Sequence, residues 1–251
     1  MGGAAAVLER RRAAVLGLLL GLLLGLLAAW DAGAGLLPNA GEWFDVAVVA
    51  GLLIPATFLV VWLALPLATA PRLAPAAALL GALAVLLYLA GLGALFNVAK
   101  LVALTLIGFW FLQLFEALSW VVLVAVVIPW VDAISVWRGP TEYVVSEQPG
   151  LFDRVSYAFR LPGEEGSANI GPPDILFFAL FLAAAARFRL RVGWTWVAMV
   201  GMLALTIVLT VLFDLNGLPA LPAVAIGFLL PNADLLWNAW RERGLELQPP
   251  D

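Results

Sequence analysis

Two aspartates lie inside apolar stretches of this chain, and their carboxyl groups are the side chains best suited to chemistry: Asp132 and Asp174. A carboxylate in a lipid bilayer costs from a few to more than about ten kcal/mol, so such a residue is generally kept for a function. Two carboxyl groups within about 3–5 Å of each other cannot both ionise comfortably, so one of them keeps a proton. The ionised group can then take a proton from an attacking water, while the protonated group hydrogen-bonds to a scissile carbonyl oxygen. Because such a pair titrates as a unit, the sequence does not assign the acid and the base.

The composition restricts the chemistry that remains open to the chain. Of its 251 residues, 64% are hydrophobic and only 12% are charged, whereas soluble domains carry about 25% charged residues. This composition predicts a membrane protein. The chain has no cysteine and no histidine, which excludes thiol catalysis, catalysis by a Ser-His pair and most zinc sites. We therefore expect carboxylate chemistry without a cofactor or a metal, and no nucleic-acid partner.

Eight apolar runs are long enough to span a bilayer, which takes about 20 residues. Backbone polar groups must be paired within each segment in lipid, so we predict that these runs are helices. The first run follows three arginines, as in a secretory signal, but it is longer than the roughly 7–15 apolar residues of such a signal, so we expect it to be retained. The predicted spans are Ala13–Trp30, Phe44–Thr69, Leu73–Phe96, Val98–Phe115, Leu118–Trp137, Gly171–Arg187, Gly193–Phe213 and Leu218–Trp237.

One long polar segment divides the apolar runs. It extends from Arg138 to Ile170, contains Gly139-Pro140 and Gly163, and is typical of a flexible loop. We therefore predict one membrane domain: helices in 1–137, including the Asp132 helix, a polar loop in 138–170, and further helices in 171–251 that carry Asp174.

The basic residues predict the orientation of the chain. They cluster before the first span, between the sixth and seventh spans and after the eighth, and such clusters are usually cytoplasmic. An eight-span path places all three clusters on that side, so we expect the 138–170 loop outside and the C-terminus inside. The clusters are Arg10-Arg11-Arg12, then Arg187, Arg189 and Arg191, and finally Arg241 and Arg243.

The long loop joins the ends of the two aspartate helices, which predicts that the aspartates lie on the same side of the membrane. Asp132 is six residues before Arg138, and Asp174 is nine residues after Glu165. At 1.5 Å per residue, Asp132 lies about 9 Å from its helix end. Both carboxyl groups are thus predicted at a similar shallow depth, where they face each other if their helices are neighbours.

A simpler interpretation remains open for each aspartate. An acid near a helix end is often interfacial or part of an ion pair, and Arg138 is one or two turns from Asp132. The other acids near span ends are predicted to lie at turns or at the membrane surface, the last of them near Arg241: Asp45, Glu116, Asp214 and Asp234.

Three segments resemble motifs of one protease family. The segment Val131–Pro140 resembles the first catalytic-aspartate helix of the presenilin and signal peptide peptidase family, in which a Gly-Pro follows the aspartate at the membrane edge. Ile170–Phe178 is similar to the second, whose pattern is Gly-x-Gly-Asp before an apolar helix. Gly217–Pro222 is similar to the Pro-Ala-Leu motif that opens the last helix. The motifs follow the family's order, and the resemblance covers about Leu118–Trp237.

The resemblance implies an all-α polytopic transmembrane bundle of about eight spans, presenilin-like in its C-terminal half, where the family usually has nine. It implies an intramembrane aspartic endopeptidase that hydrolyses transmembrane helices or signal-peptide remnants, with Asp132 and Asp174 as catalytic residues. Two positions depart from the family pattern: Val131 replaces a tyrosine, and Pro173 replaces the glycine next to the aspartate.

The same resemblance suggests where a substrate binds. The family's glycine-containing and Pro-Ala-Leu motifs adjoin the aspartates, and prolines that open a helix leave backbone groups unpaired. A strand-like segment after Gly139-Pro140 could pair with an extended substrate, although it is also typical of a plain loop. The residues predicted to contact substrate are Gly171, Pro219, Ala220, Leu221, Tyr143, Val144 and Val145.

The predicted location is the plasma membrane of a prokaryote, with the lipid bilayer and transmembrane-helix substrates as partners. Two other functions remain open. A transporter could use membrane carboxylates for proton or cation coupling, since helices interrupted by proline and glycine occur in that class too. An inactive relative could bind membrane helices without cutting them.

Overall fold

The structure is a computed structural model that describes residues 2–138, 154–164, 166–215 and 217–243. These ranges are mostly helical, and the only sheet within them has two strands. The elements are α1 (Gly2–Gly33), α2 (Glu42–Val48), α3 (Ile54–Ala64), α4 (Leu73–Leu89), α5 (Gly93–Leu112), α6 (Leu118–Arg138), β1 (Tyr157–Arg160), β2 (Ser167–Ile170), α7 (Pro172–Arg187), α8 (Val192–Leu212), α9 (Leu221–Leu229) and α10 (Ala233–Arg243).

Within the described residues, five helical segments are long and apolar enough to cross a membrane. They are Arg10–Leu36, Glu42–Leu67, Gly93–Leu112, Leu118–Val136 and Val192–Leu212. A π-helical turn at Val49–Leu53 joins α2 and α3 into the second of these segments. Such helices are features of a membrane-embedded chain and agree with the composition.

The other three predicted spans are helical over shorter stretches. The third predicted span is limited to α4, because the chain breaks at Gly91, where φ is +73°, before α5 begins. The sixth is α7, and the eighth is α9, a 3-10 turn at Leu230–Asn232 and α10. The count of eight spans therefore stays a prediction.

Helix α7 lies at the centre of the bundle. It packs against α5, α6, α8 and α9, and its residues from Phe178 to Ala185 are all buried. A helix that is apolar on every side is stable only when it is surrounded. Two glycines allow its neighbours to approach closely. A Cβ on Gly108 would lie 2.4 Å from the Leu176 carbonyl oxygen in α7, and a Cβ on Gly227 would lie 2.5 Å from the Met199 Cα in α8.

The described part of the polar loop forms a β-hairpin. Strands β1 and β2 are antiparallel, with Tyr157 opposite Ile170 and Arg160 opposite Ser167. The turn includes Gly163 at φ +70°, and a Cβ there would lie 2.4 Å from the Asn39 amide nitrogen. The expectation of a flexible loop is therefore wrong for this part. The strands are only four residues long, and their apolar and polar residues alternate only weakly. The sequence therefore allowed no clear prediction of strands here.

Candidate active site

Asp132 lies in the second half of α6, three residues after Pro129. Proline has no amide hydrogen, so one helical hydrogen bond is missing in the turn before the aspartate. The flanking Val131 and Ile134 are exposed on the outer surface of the bundle, whereas Asp132 is half-buried. Its Oδ2 accepts a hydrogen bond from the backbone amide of Leu221, at 3.0 Å.

The Leu221 amide is available because α9 begins at this residue. The first amides of a helix have no partner within the helix, and the next residue, Pro222, has no amide to offer. The sequence predicts that the prolines at Pro219 and Pro222 leave backbone groups unpaired near the site. One of these groups, the Leu221 amide, binds Asp132. Pro219 and Ala220 immediately precede this amide, and the Ala220 carbonyl oxygen accepts from Val224 in the first turn of α9.

Asp174 lies in the first turn of α7. The backbone amide of Gly171 donates to its Oδ2 at 3.0 Å, and its own amide donates to the Gly171 carbonyl oxygen at 3.1 Å. This reciprocal pairing closes the N-terminus of the helix. Pro172 and Pro173 occupy the positions where a missing amide costs least, so neither proline disturbs the helix start.

The two carboxyl groups are brought together. Asp132 in α6 and Asp174 in α7 are both half-buried. Helix α6 contacts α7, and α9 packs against both of them. The condition that the two aspartate helices are neighbours is therefore met.

The packing of α7 against α9 sets the common level of the pair. The rings of Phe181 and Phe228 stack with centroids 4.9 Å apart. Asp174 is seven residues before Phe181, and Leu221 is seven residues before Phe228, a rise of about 10 Å in each helix. Since Asp132 is bound to the Leu221 amide, its carboxyl group lies at the level of Asp174.

A polar contact at the other end shows that α7 and α9 run in the same direction. After α7, the Arg191 amide donates to Asn232 Oδ1 at 3.0 Å, and the Arg191 guanidinium pairs with Asp234 at 2.6 Å. Both partners follow α9. Asp234 was predicted to lie near Arg241, which is in the same helix α10, and its pairing with Arg191 was not predicted. The hydrogen bond from Arg191 lowers the pKa of Asp234, which is an exposed carboxyl group.

The packing of α7 against α3 relates Asp174 to the Glu42–Leu67 segment. Four residues beyond Asp174, Phe178 stacks on Phe58, with centroids 4.0 Å apart. Phe58 is sixteen residues into that segment, so Asp174 lies about 18 Å from its Glu42 end. The shallow depth of the two aspartates in the membrane stays a prediction.

The remaining predicted residues have separate outcomes. Tyr143, Val144 and Val145 lie outside the described residues, as does Gly139-Pro140, so their substrate contacts stay a prediction. Glu116 lies between α5 and α6, as expected for a turn. Asp45 lies in the first turn of the Glu42–Leu67 segment, where it is 6% exposed and its Oδ1 has no hydrogen-bond partner, and its position at the membrane surface stays a prediction. The sequence places it near a span end and gives no sign of this burial.

The sequence interpretation missed the polar residues that hold the hairpin. Asn97 and Lys100 in α5 and Trp30 in α1 donate hydrogen bonds to β1 and to the residues before it. The available signal was the presence of an asparagine and the chain's single lysine within an apolar helix. Tyr157 of β1 is also deeply buried, and burial raises the pKa of its hydroxyl to about 12.

The chemistry of the site is limited to its carboxyl groups and backbone amides. Across the described ranges, no group of three or more histidine, cysteine, aspartate or glutamate side chains is placed to hold a metal ion. Two adjacent carboxyl groups with one proton between them can activate a water molecule and polarise a carbonyl group. Neither the known family models nor the curated proteins give a match to this chain.

Proposed function

We propose that this protein is an intramembrane aspartic endopeptidase of the presenilin and signal peptide peptidase type. The observation that supports the proposal is that Asp132 and Asp174 lie at one level on contacting helices of the bundle. The hydrogen bond from Leu221 to Asp132 adds support, because it joins the third family-like motif to the first.

The reaction needs one proton on the carboxyl pair. One carboxylate takes a proton from water as the water oxygen bonds to the scissile carbonyl carbon. The other carboxyl group donates to the carbonyl oxygen, which gives a tetrahedral intermediate. The C–N bond then breaks, its electron pair moves to nitrogen, and the amine leaves with a proton from the pair. Activity should therefore fall at both low and high pH, as the pair gains or loses its single proton.

The two backbone amides at the site keep the carboxyl groups in place for this reaction. Gly171 binds one oxygen of Asp174, and Leu221 binds one oxygen of Asp132, each at 3.0 Å. Each carboxyl group then keeps its second oxygen for water or substrate. Groups held in position before the reaction need no reorganisation in the transition state.

The proposed substrate is a transmembrane helix or a signal-peptide remnant. Asp132 and Asp174 lie within apolar helices, so a substrate reaches them most directly through the bilayer. A helical substrate must unwind locally, because its carbonyl oxygens are otherwise paired. The proposed setting is the plasma membrane of a prokaryote, with the hairpin side outside and α10 in the cytoplasm.

The proposal is tested with purified protein in liposomes that contain a single-span helical substrate. The expected result is cleavage within the span, located by mass spectrometry, with one ¹⁸O atom from labelled water in the new carboxyl terminus. A peptide analogue with a hydroxyl group at the scissile position should compete, because it imitates the tetrahedral intermediate.

Two outcomes would contradict the proposal. If no substrate in a panel of helical substrates is cleaved, the proposed endopeptidase activity is wrong. Proton or cation flux that depends on Asp132 and Asp174, measured with a dye inside the same liposomes, would favour the transporter instead.

A further inference from the structure

Strand β1 pairs with β2 along one edge, and an asparagine side chain binds its other edge. Asn97 Nδ2 donates to the Ala158 carbonyl oxygen at 2.8 Å, and the Ala158 amide donates back to Asn97 Oδ1 at 3.0 Å. These are the two hydrogen bonds that a neighbouring antiparallel strand would make with a single residue. Asn97 is only 4% exposed, so both bonds are shielded from solvent.

Two further side chains continue this pairing along the same edge. Trp30 Nε1 donates to the Arg160 carbonyl oxygen at 3.1 Å. Lys100 Nζ donates to the carbonyl oxygens of Ser156 and Arg154. The accepting carbonyls of Ala158 and Arg160 lie on one edge of β1, and those of Arg154 and Ser156 lie just before the strand begins. We call Trp30, Asn97 and Lys100 the edge clasp.

The hairpin connects the edge clasp to Asp174 through few residues. Ala158, which Asn97 binds, lies opposite Asn169 of β2. Strand β2 ends at Ile170, and the next residue, Gly171, gives its amide to the Asp174 carboxylate. No flexible segment separates the strand from the first turn of α7. A displacement of the hairpin would therefore change the position of the Gly171 amide and of the carboxyl group that it holds.

We propose that Asn97 is a positioning residue for Asp174, acting through the hairpin rather than by contact with substrate. This inference rests on the proposed function, since the reaction needs the two carboxyl groups at a fixed separation. The physical reason is geometric: a displacement of about 1 Å at a reacting group can cost about 100-fold in rate.

The test compares two variants of α5 in the liposome cleavage assay. Asn97→Leu keeps a similar volume and removes both hydrogen bonds to Ala158, together with a longer one to Asp31 Oδ1 at 3.4 Å. Thr105→Val is the matched control, because Thr105 is buried in the same helix and its hydroxyl donates only to the Leu101 carbonyl oxygen, at 2.8 Å. Asn97→Leu should lower kcat about tenfold or more with little change in KM, since geometry rather than binding is lost. Thr105→Val should retain the wild-type values.

A second variant acts on the strand instead of the helix. Ala158→Pro removes the amide that donates to Asn97 and leaves the pairing with β2, because proline is tolerated on an outward strand edge. It should lower kcat in the same direction, and it carries the test alone if Asn97→Leu does not fold.

A cross-link provides the rescue that a general loss of stability would not show. Asn39 Nδ2 lies 2.9 Å from Glu164 Oε1, next to the hairpin turn. In the cysteine-free chain, Asn39→Cys with Glu164→Cys can be joined by a short dithiol-reactive reagent. Joining them in the Asn97→Leu background should restore kcat to within about threefold of the wild type, because the hairpin is held again.

The outcomes separate the two proposals. If the wild-type protein cleaves no substrate, the proposed function fails. If the wild type cleaves and Asn97→Leu retains its kcat, or the loss persists after the cross-link has formed, the positioning role of Asn97 is wrong and the endopeptidase assignment stands.

Discussion

The close approach of α5 and α7 at Gly108 gives a sharp prediction about stability. A Cβ at this position would lie 2.4 Å from the Leu176 carbonyl oxygen and 2.8 Å from the Ala179 Cβ, whereas ordinary contact begins at 3.4 Å. Gly108→Ala therefore requires the two helices to separate by about 1 Å, and such overpacking typically costs about 1–3 kcal/mol.

The control is a glycine with open space around it. Gly201 lies within α8, and a Cβ there would meet nothing within 4 Å. Alanine within a helix is favoured over glycine by roughly 0.5–1 kcal/mol. Gly201→Ala should therefore stabilise the protein, and Gly108→Ala should destabilise it by about 1–2 kcal/mol once the same gain is included.

Unfolding of the three proteins in mixed micelles, titrated with a denaturing detergent, measures this difference. Leu176 is two residues from Asp174, so the same displacement should lower kcat by up to about 100-fold in Gly108→Ala and leave it unchanged in Gly201→Ala. The reasoning is refuted if Gly108→Ala is stabilised as much as Gly201→Ala, since α7 would then not be tightly held.

The remaining predictions use single substitutions. Leu221→Pro removes the amide bound to Asp132, whereas Leu221→Ala keeps it. The proline variant should have a kcat about 10–100-fold below that of the alanine variant, the value of a hydrogen bond to a charged group, and equal rates would show that this amide is unimportant. Burial raises the pKa of Tyr157 from 10.0 to about 12, so its contribution to stability is complete below pH 10 and is lost as the pH rises through about 12. In Tyr157→Phe this alkaline loss, about 2–3 kcal/mol, should be absent from unfolding measured between those pH values, and an unchanged alkaline slope would contradict the burial. For orientation, a cysteine replacing the exposed Gly166 should react with an impermeant thiol reagent on intact cells, and one replacing the exposed Arg241 only after lysis; the reverse pattern would invert the topology.

The helices could be predicted because their cause is local. Runs of apolar residues give helices in lipid whatever their neighbours are, and the helical segments lie within or close to the predicted runs. The proximity of the helices that carry Asp132 and Asp174 could be inferred because a single segment joins these two helices. The helix breaks at Gly91 and after Leu229 could not be predicted, because they depend on how the helix ends pack against their neighbours.

The features missed in the sequence depend on tertiary contacts. The hairpin is stabilised largely from outside, by the edge clasp and by the loop beside Gly163, so its four-residue strands carry little signal of their own. The specific bond from Leu221 to Asp132 requires the last helix to meet the first aspartate helix, which spacing alone does not encode.

The turnover of variants with one altered carboxyl group tests the pairing of Asp132 and Asp174 most directly. Asp132→Asn and Asp174→Asn keep the size and remove the charge, and Asp214→Asn is the control, since Asp214 is exposed at the end of α8 with φ of +50°, a conformation that asparagine accepts readily. Each of the first two variants should fold as the wild type does and lose cleavage by about 1,000-fold or more, because the two groups act as a unit, whereas Asp214→Asn should retain it. Near-wild-type turnover in either Asp132→Asn or Asp174→Asn would contradict the account.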